Sequence, residues 1–288
     1  MTTVLLFLIC SAAALGDDAE IALLLKEKGA VVVVAKGLVT SLEANDCSKW
    51  TEEDFRQLGQ LTHLRNLSLG AGLSDATLAL LTGLSELETL QTNLATVTDD
   101  GVKALAQLKK LKILKFFHPG KAFTGTGLAQ LAELPNLERV TVAGSLTFGD
   151  EGMAAVAKLT NLKEVRTWHA GQTLEGVKKL KDLKNLKSLT LGQRLAYKPP
   201  TTLADDTLAV LAEMKSLESL QLEEARLKYD SLVQLKQLPE LKKLTLEGID
   251  IAEADVERLR GELPKVEIKW TKPNDIYMKR IRALFGSE

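Results

Sequence analysis

Leu84–Gln107, with the sequence LSELETLQTNLATVTDDGVKALAQ, is one complete copy of a unit that recurs along most of this 288-residue chain. Its leucines at positions 84, 87 and 90, together with Thr92, follow the spacing L-x-x-L-x-x-L-x-L. The alternation of Leu90 and Thr92 with their polar neighbours is typical of a β-strand. The first half of each unit is therefore predicted to contain a short strand.

A polar turn and a helical pattern follow this strand. The turn contains Thr98-Asp99-Asp100-Gly101, and Val102, Leu105 and the next unit's Leu108 then recur at the spacing of a helix. Asp99 is placed to accept backbone N–H bonds at the start of that helix. We therefore interpret the Thr-Asp-Asp-Gly string as an N-terminal cap and not as a carboxylate site.

Eight copies of the unit follow one another between residues 61 and 262. Their first residues are Leu61, Leu84, Leu108, Leu134, Leu159, Leu183, Met214 and Leu238. Counted between these starts and residue 263, the units are 23, 24, 26, 25, 24, 31, 24 and 25 residues long. All but the sixth fall in the range of about 20 to 29 residues that is typical of leucine-rich repeats.

With these residues the chain resembles a bacterial leucine-rich repeat protein whose units of about 24 residues end in a T-D-x-G-L-x-x-L helix. The resemblance covers Leu61–Glu262, and the closing segment LPKVEIKWTKPNDIYMKRIRALFG is similar to the ends of exported repeat proteins from environmental bacteria. One departure is that the asparagine many such repeats place after the strand occurs only as Asn93. The resemblance implies a binding scaffold and names no ligand.

The physical argument for the fold stands beside that resemblance. Each unit has one apolar face that it cannot bury alone, and stacking the units joins these faces into one core. Right-handed strand–helix–strand connections make the stack a right-handed coil. Because helices are wider than the roughly 4.8 Å between strands, the strands line the concave face and the helices the convex face. We therefore predict an α/β fold, a right-handed leucine-rich repeat solenoid with parallel strands.

The N-terminal apolar run Val4–Leu15 predicts a signal peptide over residues 1–16. The run is shorter than the roughly 20 apolar residues that span a bilayer, so we expect export without stable membrane insertion. Met1-Thr2-Thr3 carries no Lys or Arg, which departs from the usual positive start of such a segment. The expected location is the periplasm or the extracellular space.

Residues 17–60 lack the repeat and are predicted to form an N-terminal cap. Ala19–Lys28 has the pattern of a short amphipathic helix, and Ala30–Val34 with Leu38–Glu43 has the pattern of a hairpin. This hairpin is expected to shield the first edge of the repeat core from solvent. If Cys10 leaves with the signal peptide, Cys47 cannot form an intrachain disulfide, and we interpret it as a buried cap residue.

Residues 263–288 are predicted to form a C-terminal cap. Val266, Ile268 and Trp270 alternate as a last strand, and we place Trp270 in the cap core. Ile276–Phe285 is expected to form a helix that covers the open end of the array. The lysines and arginines of this cap are interpreted as a solvated surface: Lys265, Lys269, Lys272, Lys279, Arg280 and Arg282.

Charge and motifs narrow the classes of function. The 37 basic and 38 acidic residues give a formal net charge of −1, so nucleic acid or an anionic membrane is not the expected partner. The histidines His63, His118 and His169 lie far apart in sequence, and no HExxH, CxxC, P-loop or GxSxG motif is present. We expect no catalytic residue, no metal and no cofactor. The oligomeric state does not follow from the sequence.

Three functions remain open at this point. We favour a non-enzymatic scaffold that holds a protein, peptide or glycan on its concave face. The first alternative is an enzyme or enzyme accessory with a site in the long loops after strands three, four and six, which are His118–Thr126, Gly144–Asp150 and Gln193–Ala204. The second alternative is a purely structural spacer.

The candidate binding site comes from the strand periodicity, because alternate strand residues point to the concave side. The last outward residues of the eight strands are Gly70, Asn93, Phe117, Ala143, Trp168, Gly192, Glu223 and Glu247. Phe117 and Trp168 thus flank Ala143, and at roughly 4.8 Å per strand they start about 10 Å apart. We expect a gap wide enough for an apolar side chain or a sugar ring.

Cations are expected to surround this aromatic pair. Lys115 and Arg166 occupy the preceding outward column, and Arg139 lies one column further on. His118 and His169 directly follow the two aromatic residues and are expected to form the rim. Aromatic residues ringed by Arg and Lys have the composition of a binding hot spot. The alternative is that loops three and four fold over the pair and bury it.

Overall fold

The computed structural model describes residues 18–194 and 198–286. The predicted signal peptide, residues 1–16, and Cys10 within it lie outside these ranges. Residues 18–27 form the first helix, α1, which is part of the predicted N-terminal cap. Within these described ranges the chain forms one continuous sheet, with helical segments in the connections between strands.

The sheet contains eleven strands that follow one another in chain order. The first two pair antiparallel, and every later neighbouring pair is parallel. The strands are β1 Val31–Ala35, β2 Leu38–Asp46, β3 Asn66–Ala71, β4 Thr89–Asn93, β5 Ile113–Phe117, β6 Arg139–Ala143, β7 Glu164–Trp168, β8 Ser188–Gly192, β9 Ser219–Glu223, β10 Lys243–Glu247 and β11 Glu267–Thr271. The predicted α/β leucine-rich repeat solenoid with parallel strands is confirmed.

The connections contain short helices, and several end in a 3-10 segment. The α-helices are α2 Glu52–Leu58, α3 Asp75–Ala79, α4 Asp99–Val102, α5 Asp150–Val156, α6 Leu174–Lys179, α7 Asp205–Leu211, α8 Tyr229–Leu232, α9 Glu253–Glu262 and α10 Asp275–Phe285. The 3-10 segments are Leu80–Gly83, Lys103–Gln107, Thr126–Leu131, Leu180–Asp182 and Val233–Gln237. The tighter 3-10 turn lets a connection of a few residues return to the next strand.

One apolar core runs through the whole array between the strands and the helical segments. The inward residues of the repeat strands β3 to β10 and the leucines before them are buried, as Leu114, Val140 and Leu137 show. The long loops after β5 and β6, His118–Thr126 and Gly144–Asp150, add Phe123 and Phe148 to this core. The ring of Phe123 lies 4.8 Å from that of Phe116 and 6.4 Å from that of Phe148 between centroids. These loops are therefore folded into the core.

Aspartates link several connections to the next one, which corrects the predicted role of Asp99. The side chain of Thr98 caps α4, and the Asp99 carboxylate instead accepts bonds from the N–H and hydroxyl of Thr124 and from the N–H of Gly127. Asp150 makes the same three bonds to Thr173 and Gly176. A Cβ atom at Gly127 would overlap the backbone carbonyl of Asp99, so the close approach requires glycine there.

The N-terminal cap continues the sheet. Strand β2 pairs in parallel with β3, and β1 forms the outer edge. The Cys47 side chain directly after β2 is buried, with its Sγ 3.6 Å from the carbonyl oxygen of Ala44. Burial raises the pKa of the Cys47 thiol to about 11. The thiol is thus neutral and enclosed, as expected of a structural cap residue.

The C-terminal helix α10 contacts residues that directly follow β9 and β10. Arg280 lies 3.2 Å from the Glu224 carboxylate, and the ring of Tyr277 lies beside Gly248. Arg280 is therefore not part of a solvated surface. Trp270 packs partly buried against the core and donates from Nε1 to the carbonyl oxygen of Ile249 at 2.9 Å.

Candidate functional site

The sheet register brings the predicted aromatic residues onto neighbouring strands. Phe117 is paired with Ala143, and Ala143 with Trp168, at the last positions of β5, β6 and β7. Two residues earlier, Lys115 is paired with Thr141, and Thr141 with Arg166. Residues two apart on a strand share a face, so these two rows lie side by side on the concave surface.

The two aromatic rings contact each other across Ala143. Their centroids are 6.1 Å apart, and their planes are inclined by 57°. Ala143 beneath them is only 2% exposed, although it points outward. The backbones of Phe117 and Trp168 lie two strands apart, as predicted. The expected open gap between their side chains is wrong, since the small Ala143 lets both rings lean together above it. The pair presents one continuous, half-buried aromatic surface.

Two cations accompany this surface, in the row next to it. The guanidinium of Arg166 lies 5.5 Å from the centroid of the Trp168 ring, within the range of a cation–π interaction. Lys115 is half-buried on the other side of Thr141, whose own exposure is 4%. Within residues 18–194 and 198–286, neither Lys115 nor Arg166 has a carboxylate within ion-pair distance.

Arg139 lies apart from the aromatic pair. It occupies the first position of β6, and its exposed guanidinium is 3.9 Å from the carboxylate of Glu164. It lies one row beyond Thr141, as the periodicity predicts, but the structure does not bring it against either ring. Its position allows it to contact only the edge of a ligand centred on the rings.

The two histidines have different surroundings. Both have a positive φ, 46° at His118 and 48° at His169, because each follows the end of its strand in a left-handed turn. His118 is exposed, and its Nδ1 lies 3.0 Å from the Oδ1 of Asn93. His169 is directed toward the C-terminal part of the array, where its Nε2 lies 2.7 Å from the Oε1 of Glu224. Of these two histidines, His118 is the more exposed.

Glutamates form the C-terminal border of the site, which the sequence analysis did not single out. Glu223 flanks Gly192 opposite Trp168, since a Cβ atom at Gly192 would contact the Cβ atoms of both. The Gln221 amide donates to Glu223 at 2.7 Å and to Glu247 at 3.2 Å. Burial, followed by the neighbouring Glu247 carboxylate, raises the pKa of Glu223. The outward column already contained both glutamates and could have revealed this border.

Glu224 anchors the helix α10 beside this border. Its side chain is only 4% exposed and is bonded by both His169 and Arg280. Burial alone would raise the pKa of Glu224, but the bonds and charges of His169 and Arg280 hold it below its usual value. A network that joins residues 55 and 56 positions apart has no local sequence signal.

The alternative that loops three and four bury the aromatic pair is not what the structure shows. Phe123 and Phe148 point into the core, and Leu146 at the tip of loop four is 59% exposed. Phe117 and Trp168 contact each other and are each partly exposed. The rings therefore remain accessible on the concave face.

Two further properties concern the part of the chain that the structure describes. Within it, no three His, Cys, Asp or Glu side chains are grouped closely enough to hold a metal ion. No helix there is both long and apolar enough to cross a membrane.

Comparisons with known proteins add the following. No protein-family model matches the chain, and no curated protein matches it. Among solved structures it is similar to internalin C2 of Listeria monocytogenes str. 4b F2365, with 18% identity, a TM-score of 0.45 and coverage of 77% of this chain and 84% of that one.

Two other solved structures have similar values. An internalin, inlF, of the same Listeria strain shows 19% identity and a TM-score of 0.39, with 76% of this chain and 71% of that chain covered. A leucine-rich repeat protein of Leptospira interrogans shows 22% identity and a TM-score of 0.35, with coverages of 74% and 68%. At such values the function has to be argued from this chain's own geometry.

Proposed function

We propose that this protein is a non-enzymatic binding scaffold that recognises a protein, peptide or glycan through its concave face. The observation that supports this proposal best is the contact pair Phe117–Trp168. These two residues are the aromatic ones among the outward positions of the described strands β3 to β11. Both are partly exposed on the parallel sheet, and their rings contact each other. Exposed aromatic residues next to arginine are the usual centre of a binding surface.

The proposed ligand-binding residues form a centre, a rim and a periphery around this aromatic pair. Phe117, Trp168, Lys115 and Arg166 form the centre, because the two rings touch and Arg166 lies over Trp168. His118 forms the rim. Arg139 and His169 lie at the periphery, where each is already engaged by a glutamate.

A display library tests this proposal without a known partner. The probe is a bead-displayed library of random peptides of roughly ten residues, which span about 33 Å when extended. Peptides enriched by the wild-type protein are then measured individually by biolayer interferometry. We expect Phe117→Ala and Trp168→Ala each to weaken binding about tenfold or more, ~1.4 kcal/mol, and to leave the melting temperature nearly unchanged.

Leu94→Ala and Leu146→Ala are the matched controls, because both leucines are exposed, at 57% and 59%, and lie outside the aromatic pair. They should retain wild-type affinity. Equal binding by wild-type protein and both aromatic variants would place the site elsewhere. A large drop in melting temperature in both aromatic variants would show that the pair serves the fold instead.

We further propose that the protein is exported to the periplasm or the extracellular space. The support is the apolar run Val4–Leu15 followed by Gly16. N-terminal sequencing of the natively expressed protein should find a mature chain that starts at or near Asp17. An intact Met1 or Thr2 in a soluble cytoplasmic fraction would refute this.

A further inference from the structure

The row next to the aromatic pair contains two cations without a counter-charge. Lys115 and Arg166 lie on strands two apart, so their backbones are about 10 Å from each other. Both side chains are half-buried, and neither is within 4.0 Å of a carboxylate in the described part of the chain. By contrast, two lysines that directly precede strands are paired, Lys112 with Glu88 and Lys163 with Glu138.

A small residue leaves room between these two cations. Thr141 lies between them in register and is 4% exposed, so the longer side chains of Lys115 and Arg166 rise on either side of it. A carboxylate placed above Thr141 could accept bonds from both cations at once. Charge-assisted bonds of this kind are stronger than neutral ones.

From this arrangement we infer that the partner is a polypeptide segment that places an acidic side chain between Lys115 and Arg166 and an apolar side chain, two positions away, on the Phe117–Trp168 surface. This inference rests on the proposed concave-face binding and adds the chemistry of the partner. The two contacts lie in rows that are two residues apart along the strands. This is the separation of side chains at positions i and i+2, which share one face of an extended peptide.

The geometry of the rings favours a peptide over a sugar. A sugar ring stacks on an open, flat aromatic face. Here the Phe117 ring is inclined by 57° against Trp168, and the Arg166 guanidinium lies 5.5 Å from the Trp168 centroid. The remaining surface is an angled edge, which suits a branched or aromatic side chain.

The acidic part of the partner must be short. Beyond Trp168 the outward column continues with Glu223 and Glu247, whose carboxylates share the bridging amide of Gln221. A long acidic stretch would meet like charges there. The complementary segment is therefore acidic only opposite β5 to β7.

The inference is tested by reversing the charges of Lys115 and Arg166 in the protein and screening the same random peptide library. We expect wild-type protein to enrich peptides that carry Asp or Glu two positions from a large apolar residue. The double variant Lys115→Glu, Arg166→Glu should instead enrich peptides with Lys or Arg two positions from the apolar residue. For individual wild-type-selected peptides, the double variant should lose about tenfold or more in affinity.

The control is Lys109→Glu, Lys184→Glu, which changes the net charge equally at two exposed lysines away from the concave face. It should retain the wild-type preference. If the double charge reversal does not fold, Lys115→Gln and Arg166→Gln each replace it and should each weaken the preference for acidic peptides.

The outcomes separate this inference from the proposed function. Peptides enriched through Phe117 and Trp168 but without acidic residues would overturn the charge assignment and leave the scaffold function intact. No enrichment over the Phe117→Ala, Trp168→Ala protein would overturn both. Binding of an acidic oligosaccharide such as oligogalacturonate that depends on Lys115 and Arg166, with no peptide enriched, would overturn the peptide assignment.

Discussion

At the scale of single residues, the aspartate of the T-D-x-G string couples one repeat to the next. Asp99 accepts three bonds from Thr124 and Gly127, which belong to the following connection. Burial opposes the charge on Asp99, but the bonds from Thr124 and Gly127 hold the pKa of its carboxyl below the usual value. The neighbouring Asp100 is exposed and is paired with Lys103, the first residue of the following 3-10 segment.

We predict that Asp99→Ala destabilises the protein by about 1 to 3 kcal/mol, because the N–H groups of Thr124 and Gly127 lose their acceptor. Asp100→Ala is the matched control and should change stability by less than about 0.5 kcal/mol. Chemical denaturation at neutral pH measures both. Equal effects of the two substitutions would contradict the coupling role of Asp99.

The difference in stability between wild type and Asp99→Ala should depend on pH in a defined direction. A carboxyl group whose pKa is lowered on folding adds stability above its unfolded value, near 3.9 for Asp, and that stability is lost as the pH falls through the folded value. The difference between wild type and Asp99→Ala should therefore narrow below about pH 4. A difference that grew on acidification would refute this account.

Strand periodicity predicts some features of the candidate site from the sequence and not others. The outward positions of Phe117, Trp168, Lys115 and Arg166 were predictable, because a strand alternates its side chains with a period of two. The contact between the two rings was not, since it depends on rotamers and on the small Ala143 beneath them. For the same reason the pairing of His169 with Glu224 left no sequence signal.

At the scale of elements, α10 shows the limit of a local pattern. Its amphipathic spacing predicts a helix, and Ile281 and Leu284 are buried as expected. Where the helix lies depends on Glu224, which is 56 residues from Arg280. The 3-10 segments were also missed, because helical spacing in a run of five residues does not distinguish the two turns.

We predict that Arg280→Ala loosens α10 while the repeats stay folded. Its guanidinium supplies a bond to the buried Glu224 carboxylate, whose charge then has fewer partners. Hydrogen exchange of residues 275–285 should become faster, with little change in the melting temperature. Arg282→Ala, at an exposed position on the same helix, should leave the exchange unchanged. Unaltered exchange in Arg280→Ala would show that α10 is held by its apolar side chains alone.

At the scale of the whole molecule, the order of the strands sets how the protein comes apart. Each strand pairs only with the strands before and after it in the chain, from β1 to β11. In such a stack an inner repeat is held by two neighbours and an end element by one. Local opening should therefore begin at the ends of the array and have a lower free energy there than in the middle.

The buried thiol of Cys47 is a built-in reporter of that opening. It lies directly after β2, near the N-terminal end, and among the described residues it is the one free cysteine. In a Cys10→Ser variant, a disulfide reagent could react only when the end of the array frays. We expect modification of Cys47 to outpace global unfolding and to depend weakly on denaturant, since little surface is exposed by fraying. Rates equal to global unfolding would mean that the array opens as one unit.

The enclosed position of Cys47 also affects how the protein responds to oxidants. A thiol whose pKa is about 11 and whose Sγ is enclosed is almost inert toward oxidants while the end is closed. Every fraying event exposes it for a moment. Oxidation of Cys47 would then place a larger, polar group where a buried thiol belongs, so the end could not close again, and chemical ageing of this protein would proceed from its N-terminal end inward.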